Sequence, residues 1–268
     1  MQKLEIEAIS RSKTNIYKQS ANVFLHCMKK IKYLKEILEN RAIIPRYNVE
    51  NIGFLNIDGE EEIAFPMICF CDIFLGKLKS HMSVYGEYGI GLDKNFGIYN
   101  GFEPINYVNT DSKLINNLRN TMRYLYNNYD GSVDDIYIEQ LMHNLLYIKP
   151  IYGKMKICDN TYRNVLFADE REWRYIPKID TNITDMELVL YGDKKVTENV
   201  KLYSDAMKHY REGWLYLNVD SIKYILVRND KDVARMIKYI KKLDSWNEEE
   251  KSILISKLIR YDTLKEDM

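Results

Sequence analysis

The sequence predicts an α+β fold in a single domain that spans residues 1–268. Short apolar runs near both ends of the chain are typical of strands, whereas residues 111–148 and 230–264 carry the spacing of amphipathic helices. No internal repeat, low-complexity tract or linker rich in proline, glycine and serine divides the chain. We therefore expect one domain with a helical insertion at about 111–148 and a C-terminal helical segment at about 230–264.

The first part of the chain alternates apolar strands with one amphipathic helix. Residues 29–41 (KKIKYLKEILENR) place Ile31, Leu34 and Leu38 on one helical face, and Pro45 ends that unit. Four apolar runs predict strands on either side of this helix: 22–27, 64–70, 88–92 and 104–108.

Two further helices are predicted within the insertion. Asp111 can cap the first, in which one side carries Leu114, Leu118, Met122 and Leu125. The second covers residues 133–148, and its single apolar face consists of Ile138, Leu141, Met142 and Leu145.

The pattern returns to strands after Pro150. Residues 166–177 (LFADEREWRYIP) alternate and predict an extended segment, and residues 214–218 and 223–227 predict two more strands. The chain then ends in two predicted helices, which break near Ser245 and Trp246.

Composition excludes several classes of partner. Lys+Arg and Asp+Glu both number 39, so no overall charge attracts nucleic acid, which we do not expect as a constitutive partner. No apolar run approaches the roughly 20 residues of a membrane helix, and the N-terminus has no signal-peptide pattern. We therefore expect a cytoplasmic protein whose four cysteines, Cys27, Cys69, Cys71 and Cys158, are reduced thiols.

The stretch YGEYGIGLDKNFG (85–97) has two interpretations. Its glycines and Lys94 suggest a phosphate-binding loop, but the order of the glycines matches neither a P-loop nor a dinucleotide fingerprint. The alternative is that the glycines allow a strand to pack closely against its neighbours. We favour the second interpretation on the motif alone.

The segment DEREWRY (169–175) could carry chemistry. In an extended chain, Glu170, Glu172 and Arg174 point to one face and the residues between them point to the other. This pattern is typical of a solvated edge with cross-strand ion pairs. It also fits a catalytic glutamate that is held by an arginine and tuned by a second carboxylate.

His26 and the cysteine pair are weaker candidates. His26 ends an apolar strand, where it either satisfies a structural hydrogen bond or binds a ligand hydroxyl at the lip of a cleft. Cys69 and Cys71 face the same side of a strand and are followed by His81, which is too few ligands for zinc. We therefore predict no metal site.

Three segments resemble the AbiGi family of abortive-infection proteins. They are FLHCMKKIKYLKEILENRAIIPRY, FPMICFCDIFLGKLKSHMSVYGEYGIGLDKNFGIYNGFEPINYV and FADEREWRYIP, which cover most of residues 20–180. The middle segment is the most specific, with PMICFCDI, His81 and YGEYGIGLDK. The resemblance implies a role in bacterial phage defence, usually as the antitoxin of a two-gene system. Its implied partners are a cognate toxin or another protein of the defence operon, with a phage component as the trigger.

A broader resemblance links the chain to DarT-type ADP-ribosyltransferases, because a strand bearing a histidine leads directly into a helix that ends near a proline. It implies a mixed, mostly antiparallel split sheet and an enzyme that uses NAD as a substrate. Nicotinamide would leave through an oxocarbenium-like state, and ADP-ribose would pass to a macromolecule. The alternative is a non-enzymatic antitoxin that binds a toxin through an exposed apolar surface, such as the 111–148 helices.

The ADP-ribosyltransferase resemblance also implies roles for individual residues. Glu172, with Glu170 as its substitute, would orient the ribose hydroxyl as the catalytic carboxylate. The implied cofactor-binding residues are His26 for the ribose, either Tyr85 or Tyr88 for stacking on nicotinamide, and Arg174.

Overall fold

The protein is described by a computed structural model, which covers residues 20–57, 61–128, 141, 143–158, 161–180 and 182–266. The strands of the first half of the chain are β1 (Val23–Met28), β2 (Ala42–Ile43), β3 (Arg46–Asn51), β4 (Glu62–Cys71), β5 (Tyr88–Asp93), β6 (Glu103–Pro104) and β7 (Asn106–Val108). The second half adds β8 (Ile148–Pro150), β9 (Tyr152–Cys158), β10 (Thr161–Leu166), β11 (Glu172–Tyr175), β12 (Leu190–Tyr191), β13 (Leu215–Tyr216), β14 (Ile222–Val227) and β15 (Leu258–Arg260).

Helices separate many of these strands. They are α1 (Ile31–Asn40), α2 (Leu78–Tyr85), α3 (Lys94–Tyr99), α4 (Lys113–Asn128), α5 (Asp193–Ala206), α6 (Asp230–Ile240), α7 (Glu248–Ser256) and α8 (Tyr261–Glu266). The mixed α+β class predicted from the sequence is therefore confirmed.

Nine of the described strands join one mostly antiparallel sheet, with the order β15-β14-β5-β1-β4-β11-β6 and with β3 and β12 also paired to β4. Only β14 and β15 run parallel to each other among the pairs of this sheet that the structure describes. The long strand β4 pairs with β3 and β12 along its first half and with β1 and β11 near its end. Strands from both halves of the chain therefore meet on β4.

Side chains alternate between the two faces of this sheet, and different helices cover each face. The first face packs against α1, α6 and α7, with Phe24, Phe70 and Ile90 in its core; we call it the α1 face. The opposite face, here the α2 face, packs against α2 and α8 around Leu25 and Cys71. Farther along β4, the helix α4 covers the α2 face.

The predicted strands at 22–27, 64–70, 88–92 and 223–227 correspond to β1, β4, β5 and β14. Residues 104–108 divide between β6 and β7, and residues 214–218 contain the short strand β13. The C-terminal segment contains the expected break near Ser245 and Trp246, between α6 and α7. The strand β15 interrupts the residues predicted as helix, so α8 is a third helix where two were predicted.

Two expectations for the helical insertion are wrong. Ser112, rather than Asp111, caps α4, because its hydroxyl accepts a hydrogen bond from the Ile115 amide at 3.3 Å. Leu114 is 68% exposed, since the buried stripe consists of Ile115, Leu118 and Met122 and Leu114 is rotated away from it. The side chain of Leu125 and most of the helix predicted at 133–148 lie outside the described residues; residues 143–145 are helical.

The extended conformation predicted for residues 166–177 is wrong over its first half. Residues Phe167–Glu170 form a 3₁₀ turn, and Arg171 follows in the left-handed region with φ of 45°. Only Glu172–Tyr175 is a strand. The left-handed Arg171 ends the turn and redirects the chain into β11. The prediction failed here because it was based on the alternation of side chains along an extended strand, which does not reveal a turn.

The glycine-rich stretch packs as the second interpretation predicted. A Cβ atom on Gly86 would lie 2.2 Å from the carbonyl oxygen of Met28, and Gly86 has φ of +119°. Lys94 does not point to an open anion site, because its Nζ lies 2.7 Å from Oδ2 of Asp72. The turn from α2 into β5 therefore needs glycine for close packing against β1.

We expect Gly86→Ala to lower the free energy of unfolding by about 3 kcal/mol or more, because the new Cβ both collides with backbone and occupies a strained conformation. Urea unfolding followed by circular dichroism measures this loss. Gly76→Ala is the matched control, since a Cβ there meets no atom within 4 Å, and it should change stability by no more than about 0.5 kcal/mol. Equal effects of the two substitutions would contradict the packing role of Gly86.

Candidate functional site

The candidate site is a buried network of charged side chains on the α2 face. Glu172 and Arg174 come from β11, where alternate residues share a face. Lys149 comes from β8 and Glu50 from β3, so three separate strands contribute. Glu172, Lys149 and Glu50 are largely buried, and Arg174 is completely buried. Burial of these charges requires that each one has partners.

The hydrogen bonds of Arg174 hold the centre of the network. Its Nε donates to Oε1 of Glu172 at 2.7 Å, and its Nη1 donates to the carbonyl oxygen of Leu146 at 2.6 Å. Its Nη2 lies 3.0 Å from Oε1 of Glu50 but outside hydrogen-bonding angles, so this contact is an ion pair without a hydrogen bond. The guanidinium thus bridges two carboxylates and the end of the helical insertion.

Lys149 joins the remaining carboxylates. Its Nζ lies 2.9 Å from Oε2 of Glu172, 3.3 Å from Oε2 of Glu170 and 4.0 Å from Oε2 of Glu50. Both oxygens of Glu172 are therefore engaged, one by each cation. The backbone amide of Glu172 also donates to the hydroxyl of Tyr107 at 2.9 Å.

These contacts shift the pKa values of the central groups. Burial alone would raise the pKa of Glu172, but Arg174 and Lys149 lower it to about 2. Burial alone would lower the pKa of Lys149, but Glu50, Glu172 and Glu170 together raise it well above its ordinary value. Glu172 is consequently ionised at neutral pH and held between two cations, which is the geometry of a structural anchor.

A cleft of about 1120 Å³ lies next to this network on the α2 face. One wall is α2, the other is the hairpin of β9 and β10, and the 3₁₀ turn that precedes β11 closes one end. Tyr85 and Glu170 both line it, and the hydroxyl of Tyr85 donates a hydrogen bond to Oε1 of Glu170. Burial and the nearby Glu170 raise the pKa of Tyr85, so its hydroxyl stays protonated.

The structure separates the residues that the ADP-ribosyltransferase resemblance brought together. Tyr85, Glu170, Glu172 and Arg174 lie at the cleft or in the network behind it. His26 lies on the opposite, α1 face, with its ring centroid 5.7 Å from that of Phe70.

Tyr88 also faces away from the cleft. It packs in the core of the α1 face, and its hydroxyl donates to Oδ2 of Asp232 at 2.8 Å. Of the two candidate tyrosines, only Tyr85 lines the cleft. The nitrogen Nδ1 of His26 lies 2.8 Å from the carbonyl oxygen of Cys69, so His26 satisfies a backbone group, as the structural interpretation predicted. The residue set implied for NAD is therefore not assembled in one place.

Sequence reasoning missed Lys149 and Glu50. Each lies in a short stretch without a recognisable motif, and Glu50 precedes β11 by more than 100 residues. The available signal was that two carboxylates, Glu170 and Glu172, share a predicted face with only one arginine, which predicts a further cation nearby.

Within the described ranges, no group of three or more His, Cys, Asp and Glu side chains is arranged to hold a metal ion. None of the described helices has the length and apolar character that a membrane span requires.

We expect Glu172→Gln to lower the free energy of unfolding at pH 7 by about 3–5 kcal/mol, because it leaves two buried cations short of a negative partner. The contribution of Glu172 is fully present above its ordinary pKa of 4.5 and is lost as the pH falls toward about 2. Urea unfolding between pH 7 and pH 2 should therefore show that wild type and variant converge in acid.

Asp205→Asn is the control for this comparison, since Asp205 and its partner Lys208 are both more than half exposed and the loss of this ion pair should leave the unfolding midpoint unchanged. A constant difference between wild type and Glu172→Gln from pH 7 to pH 2 would contradict the ionised state of Glu172.

Comparison with known proteins identifies the family. The sequence model of the family described as "Putative abortive phage resistance protein AbiGi, antitoxin" matches residues 41–228. The "Abortive phage resistance protein AbiGi" of Lactococcus lactis subsp. cremoris is 34% identical over 248 residues, which cover 84% of this chain and 99% of that protein. No solved structure matches the chain, so the ADP-ribosyltransferase type of the sheet stays a prediction. The chain belongs to the AbiGi family of abortive phage resistance proteins.

Proposed function

We propose that this protein acts in phage defence as an antitoxin, which binds a cognate toxin, and that the cleft beside Glu170 forms part of the contact surface. The observation that carries the proposal is the match of residues 41–228 to a family described as an antitoxin. The cleft and the buried network both lie within these residues. The part of the chain that resembles the family is thus the part that builds the cleft.

The chemistry of the cleft suits protein recognition. Its floor is rigid, because Glu170 is held by Tyr85 and Lys149. Its rim carries the exposed aromatic ring of Phe74 together with Lys77. Protein interfaces are enriched in aromatic residues and have polar edges, and Phe74 beside Lys77 has this composition.

Co-expression with the product of the neighbouring gene in a bacterial host tests this proposal. We expect the wild-type protein to co-purify with that product and to restore growth. The double variant Phe74→Ser, Lys77→Glu should lose both effects, because it removes the aromatic contact and reverses a charge at the rim.

Tyr99→Ser is the matched control for the rim variant. Tyr99 is 91% exposed and belongs to α3, which packs against the α1 face on the other side of the sheet. This variant should bind and restore growth as wild type does. Failure of the wild-type protein to bind or to restore growth would overturn the antitoxin proposal, whereas normal binding by the double variant would overturn only the assignment of the cleft.

NAD-dependent ADP-ribosyl transfer is the second candidate function, and one observation favours it. Tyr85 and Glu170 meet in a cleft whose volume is sufficient for a dinucleotide. The absence of His26 and Tyr88 from this cleft weighs against it. A Glu170 whose two oxygens are both engaged would also have to release Tyr85 or Lys149 before it could contact a ribose.

Incubation of lysate from infected cells with labelled NAD separates the two candidates. We expect no transfer of label above the lysate background with wild-type protein, because the residues implied for NAD lie on two faces of the sheet. Label transfer by wild type that is lost in both Glu170→Gln and Glu172→Gln, each shown to be folded by circular dichroism, would instead establish the enzymatic function. Transfer that persists in both variants would come from another protein in the lysate.

A further inference from the structure

The outer side of α6 carries cations at helical spacing. Lys231, Arg235 and Lys238 follow one another at intervals of four and three residues, so they lie along one face of the helix. All three side chains are exposed, whereas Met236 and Ile240 on the inner side of the helix are completely buried. Because a helix rises about 1.5 Å per residue, the three cations form a row about 10 Å long.

The neighbouring helix α1 widens this row. The hydroxyl of Tyr239 lies 2.9 Å from Oε2 of Glu39 and 3.3 Å from the carbonyl oxygen of Lys35, so Tyr239 joins α6 to α1. Arg235 lies one turn before Tyr239, next to this junction. On α1, Lys32 is exposed and shares a face with Lys35, three residues later. We call the five cations the basic face: Lys32, Lys35, Lys231, Arg235 and Lys238.

The acidic residues of α6 leave most of this charge in place. Asp230 forms an ion pair at 2.8 Å with an arginine of β15. Asp232 is buried and, of the cations in the basic face, pairs only with Arg235, at 3.0 Å. Lys231 and Lys238 form no ion pair with any residue that the structure describes. These two ammonium groups are therefore available to an external anion.

The stability of α6 does not require this row of cations. The helix dipole favours cations near the C-terminus, which accounts for Lys238 and for Lys241 and Lys242 just after the helix. Lys231 lies in the first turn, where the dipole disfavours a cation. It also precedes Arg235 by four residues, a spacing at which like charges destabilise a helix.

We propose that the basic face binds duplex DNA through its phosphate backbone, without reading the base sequence. The net charge of the whole chain is zero, so no long-range field attracts nucleic acid and the interaction depends on this local row of cations. Duplex DNA carries about one negative charge per 1.7 Å of its axis, so a straight row of cations can meet several phosphates at once.

The aromatic residues of the two helices favour a duplex over a single strand. Tyr33 and Tyr239 both pack against the hydrophobic core on the α1 face. The Nζ of Lys32 lies 4.9 Å from the ring centre of Tyr33, and that of Lys35 lies 4.8 Å from the ring centre of Tyr239. Proteins that bind single strands stack the bases on open aromatic rings. Rings that are packed below and covered by lysine do not offer such a platform.

The composition of this surface also favours DNA over an anionic membrane. Helices that bind at a membrane surface insert large apolar side chains beside their cations. None of the large hydrophobic side chains that are exposed among the described residues lies on α1 or α6. The basic face thus provides charge without an apolar anchor.

The basic face is separate from the cleft. The helices α1 and α6 pack on the α1 face of the sheet, whereas the cleft lies on the α2 face. DNA on one side would therefore leave the other side open to a protein. The inference does not rest on the proposed antitoxin function.

Fluorescence anisotropy of a labelled DNA duplex of about 20 base pairs, titrated with the full-length protein at physiological salt, tests this proposal. We expect a Kd on the order of 1–100 μM, and the logarithm of the affinity should fall linearly as the logarithm of the salt concentration rises. The double variant Lys231→Glu, Lys238→Glu should bind at least about tenfold more weakly and lower the salt slope by about 2, because two phosphate contacts are lost.

Two further variants make this comparison specific. Lys79→Glu, Lys113→Glu is the matched control, because it changes the net charge equally at exposed positions on α2 and α4, on the other side of the sheet. It should bind DNA as wild type does. Lys231→Gln, Lys238→Gln should lower the salt slope by the same amount as the charge reversal, with a smaller loss of affinity. Circular dichroism checks that each variant is folded.

Several results would overturn the proposal. They are the absence of duplex binding by wild type, normal binding by both folded variants of the basic face, and equal weakening by the Lys79→Glu, Lys113→Glu control. A single strand of the same length that competes better than the duplex would contradict the assignment to duplex DNA. Sedimentation with vesicles of phosphatidylcholine and phosphatidylserine, without binding to DNA, would assign the basic face to membranes instead. None of these measurements depends on toxin binding.

Discussion

The buried ion pair of Glu172 and Arg174 is the constraint on which the site depends. Charges that leave water lose several kcal/mol of solvation unless partners replace it. Arg174 therefore binds Glu172 on its own strand and Glu50 on β3, and Lys149 on β8 binds Glu172 and Glu170. These partners are far apart in the sequence, so the network forms only when β3, β8 and β11 are all in place. The network also fixes the shape of the cleft, because Glu170 accepts a hydrogen bond from Tyr85 of α2, which forms one wall of the cleft.

The fold was predictable where burial leaves a strong sequence pattern. Strands β1, β4, β5 and β14 are covered on both faces, so each is a nearly continuous apolar run. The strand β15 has three half-buried residues between two helices and carries no such run. The helix α2 has eight residues, of which only Leu78 and Met82 are buried, too few for a clear amphipathic period.

The site was predictable only in part, because a single position decides which face of a sheet a side chain occupies. Glu172 and Arg174 are two residues apart on one strand, so their common face could be read from the sequence. His26 and Cys71 come from neighbouring strands, and only the register shows that their side chains point to opposite faces. Tyr85 and Tyr88 are three residues apart, yet one ends a helix and the other begins a strand. A short motif contains no information on any of these relations.

The unit β4–α2–β5 lies within the residues that match the family, and its features position the side chains around the cleft. Gly86 brings the end of α2 against the backbone of Met28, and Lys94 is neutralised by Asp72. These constraints place His81 and Tyr85 along one side of the cleft. The charged groups next to the cleft are paired with one another, so they hold its shape and leave the exposed rim free to vary. If the proposed antitoxin function is correct, a constant floor with a variable rim would allow related proteins to keep one scaffold while they recognise different toxins.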